Sequence, residues 1–273
     1  MIKHGKLKAT ESELTFDDDV LILDNWAPLN LCAEIKEFAA HKAGWKYTNY
    51  SQDNEKSRHW GIGVAGYPNS PDMTNDKIQS NYTKKANKQW ANSVSQCKAL
   101  GEYWKFLKEN SPLKEYLPEI PTRALFNGST GGHGDIAHTD SQDYFDKNIG
   151  KNVEGPRYVT HILYLNNDLG IDDGGQTEFY NQDSSEIIGS ISPKYGRVVI
   201  LDGRIPHAGK APWVHYTGLR ITLGIQTALI GNFEWDPNSA QQELQNFYMG
   251  DKGNDLANPK KKVKQINKKR SIK

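Results

Sequence analysis

Cysteine is scarce here: Cys32 and Cys97 are the only two in 273 residues, and no C-x-x-C pair occurs. A disulfide framework is therefore not expected. A long apolar run is also missing. None approaches the roughly 18 residues that would span a bilayer, and the opening Met-Ile-Lys-His-Gly lacks the apolar stretch of a signal peptide. The expectation is a cytoplasmic protein without a membrane partner. No helical H-E-x-x-H occurs, which sets aside the usual zinc-peptidase arrangement. Internal repeats and dividing linkers are absent as well, so residues 1–250 read as a single domain.

What is present suits a globular enzyme. Hydrophobic residues make up 36% and charged residues 25% of the chain, and this length permits one large, well-buried domain. The net charge of +1 conceals an asymmetry, because residues 260–273 contain eight Lys or Arg and no acid. The remainder is net acidic. The tail, 251–273, lacks the apolar residues to fold and is expected to be disordered. Read functionally, its basic run makes a weak, salt-sensitive nucleic-acid contact; read plainly, it is a solubilising terminus.

The chemistry concentrates between His138 and Arg220. His138-Thr139-Asp140 places an imidazole and a carboxylate two residues apart, so on an extended strand both leave the same face. His207 follows 67 residues after Asp140, far enough for several antiparallel strands to return beside the first. Two His and one carboxylate make a three-ligand set for Fe(II), with half the coordination sphere open. Arg220, thirteen residues beyond His207, can then reach the same cavity and hold an acidic cosubstrate.

The surrounding chain reads as short strands. Residues 157–166 (RYVTHILYLN) are β-branched and aromatic-rich, 172–175 (DDGG) form a turn, and 176–180, 187–191, 196–202 and 218–226 continue the run. This pattern points to an all-β sandwich or barrel with a ligand-sized mouth. Strand parity puts Thr160, Ile162 and Tyr164 on the inner face and His161 on the outer. It likewise groups Arg220, Thr222, Gly224 and Gln226 against Leu219, Ile221, Leu223 and Ile225. A polar interior with an apolar exterior fits a pocket inside and packed helices outside.

Taken together, His138-Thr139-Asp140, the 157–166 strand, the 174–179 turn (GGQTEF), the 202–207 approach (DGRIPH) and Arg220 resemble the iron(II)/2-oxoglutarate-dependent dioxygenases, in their prolyl 4-hydroxylase-like branch. The wording Arg123-Ala-Leu-Phe-Asn127 before a Gly-rich loop is similar to oxygenases of large tailed phages, which would act in the host cytoplasm. The resemblance covers roughly 121–230. It implies a mainly β fold with helical support (α+β), a double-stranded β-helix (jelly-roll) core over about 121–230, and N-terminal helices over about 15–120.

The resemblance also implies a site. His138, Asp140 and His207 would hold Fe(II). Arg220 would pair bidentately with the 5-carboxylate of 2-oxoglutarate, with Tyr164 donating to the same group. Thr177 and Ile162 would line the cosubstrate wall, and Asn127 would stand beside 2-oxoglutarate. O2 would be the co-reactant, ascorbate the reductant, and succinate and CO2 the co-products. Family members that halogenate replace the acidic ligand with a small residue, so Asp140 points to hydroxylation. The acceptor is read as a prolyl or other residue of a peptide or protein. A small molecule, a nucleobase, or a non-catalytic carboxylate-binding barrel are the alternatives. The insert 210–217 is expected to shape the substrate entrance.

Other residues have blander readings. His161 is expected to pack against a helix, and His133 to be an exposed loop imidazole; His215 receives no role. Asp143 and Asp146 are expected to be solvated. In the N-terminal part, 19–24 reads as a strand, and a helix with Pro28 near its start carries Leu31, Ile35 and Phe38 on one stripe. A second helix is expected over 84–109, with Trp90, Val94, Cys97, Leu100 and Trp104 as core. Residues 47–82 are rich in Asn, Ser, Tyr and Gly, and the resemblance implies that they contain the loop that closes over substrate.

Overall fold

The computed structural model describes residues 20–41, 44–49, 59–66, 76–141, 144–146, 151–153 and 158–228. The basic tail, its proposed nucleic-acid contact, and the side chains of Asp143 and Asp146 lie outside the described residues. Strands β1 (Val20–Leu23), β2 (Lys46–Asn49), β3 (His59–Ala65), β4 (Arg123–Ser129), β7 (Tyr158–Tyr164), β10 (Val198–Asp202) and β12 (Arg220–Ala228) form one antiparallel sheet, ordered β1-β10-β7-β12-β4-β3-β2. A smaller sheet, β11-β8-β9, contains β8 (Thr177–Tyr180), β9 (Ile187–Ile191) and β11 (His207–Gly209). The pair β5 (Tyr144–Asp146) and β6 (Lys151–Val153) stands apart.

Strand periodicity divides the large sheet into two faces with different partners. Leu163, Ile200, Ile221, Leu223 and Ile225 face a core shared with helix α1 (Leu29–His41) and helix α3 (Lys98–Asn110). Leu31, Ile35 and Phe38 of α1, and Leu100, Tyr103, Trp104 and Leu107 of α3, recur at helical spacing and supply the facing surface. On the opposite face Val20, Ile162, Tyr164, Val199 and Leu201 pack against Phe179, Ile191 and Ile205 beneath the small sheet. The fold is a double-stranded β-helix with its helices outside. The polar row of β12 therefore points inward, as its parity requires.

One expectation needs correction. The long helix is two, α2 (Asp76–Gln96) and α3, because Cys97 takes an extended conformation (φ −139°, ψ 95°) between them. The apolar spacing runs through the break undisturbed, so sequence periodicity does not show it. A Cβ on Gly101 would lie 3.0 Å from Val94 Cγ1, which shows how tightly α3 turns back on α2. Within 47–82 the chain forms β3, whose Trp60, Gly61, Ile62 and Gly63 pair with Gly128, Asn127, Phe126 and Leu125 of β4, while 50–58 and 67–75 lie outside the described residues. The insert 210–217 packs at the Arg220 end of the sandwich. Trp213 N–H donates to Asp173 O (2.7 Å), and Val214 Cα would lie 3.0 Å from a Cβ on Gly131. Asp140 contacts the other end of β12, at Gln226.

Both cysteines are buried thiols outside any disulfide. Among the described residues no helix is long and apolar enough to cross a membrane.

Candidate metal and cosubstrate site

His138 and His207 face each other across a reciprocal backbone pair: His138 N–H donates to His207 O (3.0 Å) and His207 N–H to His138 O (2.9 Å). Their rings therefore leave the same side, with centroids 4.6 Å apart. Asp140 is fixed by Gly203, whose carbonyl accepts from Asp140 N (2.7 Å) and Ser141 N (2.8 Å). Ligating atoms of His138, Asp140 and His207 all lie within 4.8 Å of one another.

The imidazole tautomers follow from the backbone. His138 Nδ1 faces Ile136 O at 3.0 Å and His207 Nδ1 faces Ile205 O at 2.9 Å. A carbonyl only accepts, so each Nδ1 carries the proton and each Nε2 keeps a lone pair. Those Nε2 atoms lie 3.9 and 3.6 Å from the two Asp140 oxygens. Two lone pairs and a carboxylate thus converge without a proton among them, an arrangement that a divalent cation satisfies. Burial pushes the Asp140 carboxyl up, but His207, His138 and the Thr160 hydroxyl bond outweigh it and hold it below the ordinary value. Burial likewise lowers His207, against the pull of Asp140, which favours the neutral form that a metal requires.

A second cluster sits nearby. Arg220 is 3% exposed. Its Nε donates to Gly175 O (2.6 Å) and its Nη2 to Thr177 Oγ1 (3.1 Å). The Thr177 hydroxyl is 2.6 Å from Tyr164 Oη, and the Arg220 guanidinium carbon lies 5.6 Å from the Tyr164 ring centroid. Burial lowers the Arg220 pKa, and burial also raises that of Tyr164, against Arg220; the pair remains guanidinium and phenol. Gly175 must be glycine, since its φ is +75° and a Cβ would stand 3.1 Å from Arg220 Cδ.

Register relates the two clusters. On β11 His207 pairs with Phe179, and Gly209 with Thr177. A Cβ on Gly209 would be 3.4 Å from Arg220 Nη1. The guanidinium therefore lies about two strand residues from His207, roughly 7 Å at the usual rise. That is the length scale of a five-carbon diacid.

The structure thus brings together His138, Asp140 and His207, and separately Arg220, Tyr164 and Thr177. Ile162 lies on the same inner face as Tyr164, within the apolar cluster. Asn127 is opposite Thr222 on β4, with Oδ1 3.2 Å from His59 Nε2. His133 is exposed and hydrogen-bonds Tyr47 Oη through Nδ1 (2.8 Å). Sequence reasoning missed Thr160 and Gln226 as partners of Asp140, Arg123 as the partner of Gln226, and Asp135, whose Oδ2 is 3.4 Å from His138 Nδ1. Parity places Thr160 and Gln226 on the correct face, but only the cross-strand register brings them to Asp140.

Two His joined by a β-bridge and one carboxylate on the bend beside it, with a buried cation close by, make a candidate metal site. Residues 125–222 match the model of the 2OG-Fe(II) oxygenase superfamily. No curated protein matches the sequence. Among solved structures, the chain is similar to a prolyl hydroxylase from Trichoplax adhaerens in complex with a hypoxia inducible factor peptide fragment (16% identity, 82% of this chain and 86% of that one, TM-score 0.46). A Pseudomonas putida prolyl-4-hydroxylase is similar at 17% identity, over 77% of this chain and 92% of that one, with TM-score 0.43. So is a viral collagen prolyl hydroxylase from Paramecium Bursaria Chlorella virus-1, at 14% identity, over 77% and 95%, with TM-score 0.43.

Proposed function

We propose that this chain is an Fe(II)- and 2-oxoglutarate-dependent hydroxylase whose acceptor is a prolyl or other residue of a peptide or protein. The observation that carries the reading is Arg220. Its hydrogen bonds go to two neutral oxygens, and the Asp135 carboxylate acts on it only through space. A buried cation with no carboxylate paired directly against it is costly, so the site calls for a bound acid. The converging acceptors of His138, Asp140 and His207, about 7 Å along the strand, would hold Fe(II) at the other end of that acid. Bound there, iron supplies the oxidative decarboxylation of 2-oxoglutarate by O2 and the C–H hydroxylation of the acceptor.

The protein's own contribution is placement. Arg220 offers a charged donor pair to the distal carboxylate, with Tyr164 and Thr177 completing its hydroxyl-lined end. The apolar wall of Ile162, Phe179 and Val199 keeps water from the cosubstrate side. The peptidyl acceptor rests on the sequence motifs shared with the prolyl 4-hydroxylase-like branch.

The test is anaerobic calorimetry of 2-oxoglutarate with the Mn(II)-loaded protein, followed by succinate release with Fe(II), O2 and ascorbate. Peptide, metabolite and oligonucleotide libraries are then scored for a +16 mass gain. Arg220→Met should weaken 2-oxoglutarate binding on the order of 100-fold, since bonds to a charged group contribute about 1.5–3 kcal/mol each. Unchanged affinity in that variant, or no binding by the wild type, would end the cosubstrate assignment. A mass gain confined to metabolites or oligonucleotides would replace the peptidyl acceptor.

A further inference from the structure

Three adjacent strands present a polar row at the Asp140 end of the site: Arg123 of β4 pairs with Gln226 of β12, which pairs with Thr160 of β7. All three point inward. Arg123 Nη1 donates to Gln226 Oε1 at 3.0 Å, and Gln226 Nε2 donates to Asp140 Oδ1 at 2.5 Å. Thr160 Oγ1 donates to Asp140 Oδ2 at 2.5 Å. Gln226 and Thr160 are both buried, at 8% and 3% exposure.

From this geometry we infer that Gln226 and Thr160 are positioning residues for the metal, with Arg123 setting the orientation of the Gln226 amide. The inference rests on the metal-site reading above and goes beyond it to residues that touch neither the metal nor the cosubstrate. A free carboxylate can rotate and chelate through both oxygens. Here each oxygen is tied to a donor on a different strand, so the plane of the carboxylate is set, and each oxygen retains a lone pair toward the His rings.

The order of groups in the row matters. A guanidinium in direct contact with Asp140 would compete with the metal for the same lone pairs. Gln226 stands between them as a neutral spacer of fixed polarity. Its carbonyl is taken by Arg123, so only its N–H can face Asp140. The amide passes on the orientation and keeps the guanidinium out of direct contact with Asp140, on which it acts only through space.

The test compares Co(II) affinity, the Co(II) d–d absorption spectrum and the metal-free melting temperature in four proteins: wild type, Gln226→Met, Thr160→Val and Thr160→Ser. Gln226→Met keeps chain length but loses the donor, and Thr160→Ser keeps the hydroxyl. Loss of an outer partner of a ligand commonly lowers metal affinity 10–100-fold. The expected result is that loss in Gln226→Met and Thr160→Val, with an altered spectrum, and near-wild-type affinity in Thr160→Ser. Should Gln226→Met fail to fold, the Thr160 pair decides alone. Unchanged Co(II) affinity and spectrum in the folded donor-less variants, whatever their melting temperatures, would overturn the inference. So would a Thr160→Ser variant as weak as Thr160→Val. If wild-type protein binds no Co(II), the metal-site reading itself falls and this inference falls with it.

Discussion

Gly203 stands where the segment leading to His207 crosses beneath Asp140, and its carbonyl fixes the backbone of both Asp140 and Ser141. A Cβ there would meet Ser141 Oγ at 2.6 Å, Tyr158 O at 2.9 Å and Asp140 Cβ at 3.2 Å. Two of these neighbours are held by hydrogen bonds of their own, so the methyl cannot be absorbed by a side-chain swing. Gly203→Ala should cost about 1–3 kcal/mol, as overpacked sites do, and should displace Asp140 from the His rings. Urea unfolding of the metal-free protein and Mn(II) titration check the two effects. Wild-type values in both would show that the crossing is looser than its contacts imply. At this scale the sequence discloses the ligands, because His138 and Asp140 are near neighbours on extended chain and His207 follows its own approach motif. It does not disclose Gln226 and Thr160 as partners of Asp140, or Arg123 as the partner of Gln226. Nothing within a strand specifies which residue of the next strand lies opposite.

Among the elements, α3 is the clearest case of local pattern serving the site from a distance. Leu100, Tyr103, Trp104 and Leu107 form its buried stripe, and Trp104 Nε1 donates to Glu119 O at 2.9 Å. This stripe belongs to the core behind the large sheet, on the side away from the polar row. Leu107, fully buried, should cost about 2–5 kcal/mol on replacement by alanine. Because Leu107 lies on the far side of the sheet, the variant's Co(II) spectrum should match that of wild type. A lowered melting temperature with an intact spectrum is the expected pair of readings; a changed spectrum would mean that the sheet transmits the cavity to the site. The stripe was readable from spacing, but the break before it was not, since Cys97 interrupts the backbone without interrupting the apolar period. β3 shows the reverse. Trp60, Ile62 and Val64 alternate with His59, Gly61 and Gly63, a strand signal diluted by two glycines in a Gly- and Asn-rich neighbourhood.

For the molecule as a whole, His161 ties stability to pH. It sits on the helix-facing side of β7, opposite Ile200 of β10 and Ile225 of β12, at 1% exposure. Burial lowers its pKa to about 4, only partly offset by the Ile225 backbone. In the unfolded chain the same imidazole takes up a proton near its ordinary value of about 6.5. Between those values the unfolded state binds more protons than the folded one, so stability falls as pH falls, beginning near 6.5 and levelling near 4. The full loss is on the order of 3 kcal/mol. His207 is shifted in the same direction by its own burial and adds to the slope, whereas the lowered Asp140 carboxyl acts only below the ordinary carboxylate range. His161→Leu separates these contributions, because an apolar side chain of similar bulk removes the titrating group and leaves the packing. In the metal-free protein, denaturant unfolding across pH 7 to 4 should show a shallower decline for His161→Leu than for wild type, the two curves diverging as pH drops. Parallel curves would mean that the imidazole finds solvent or a partner on protonation, and that the helices do not seal the outer face of the sheet.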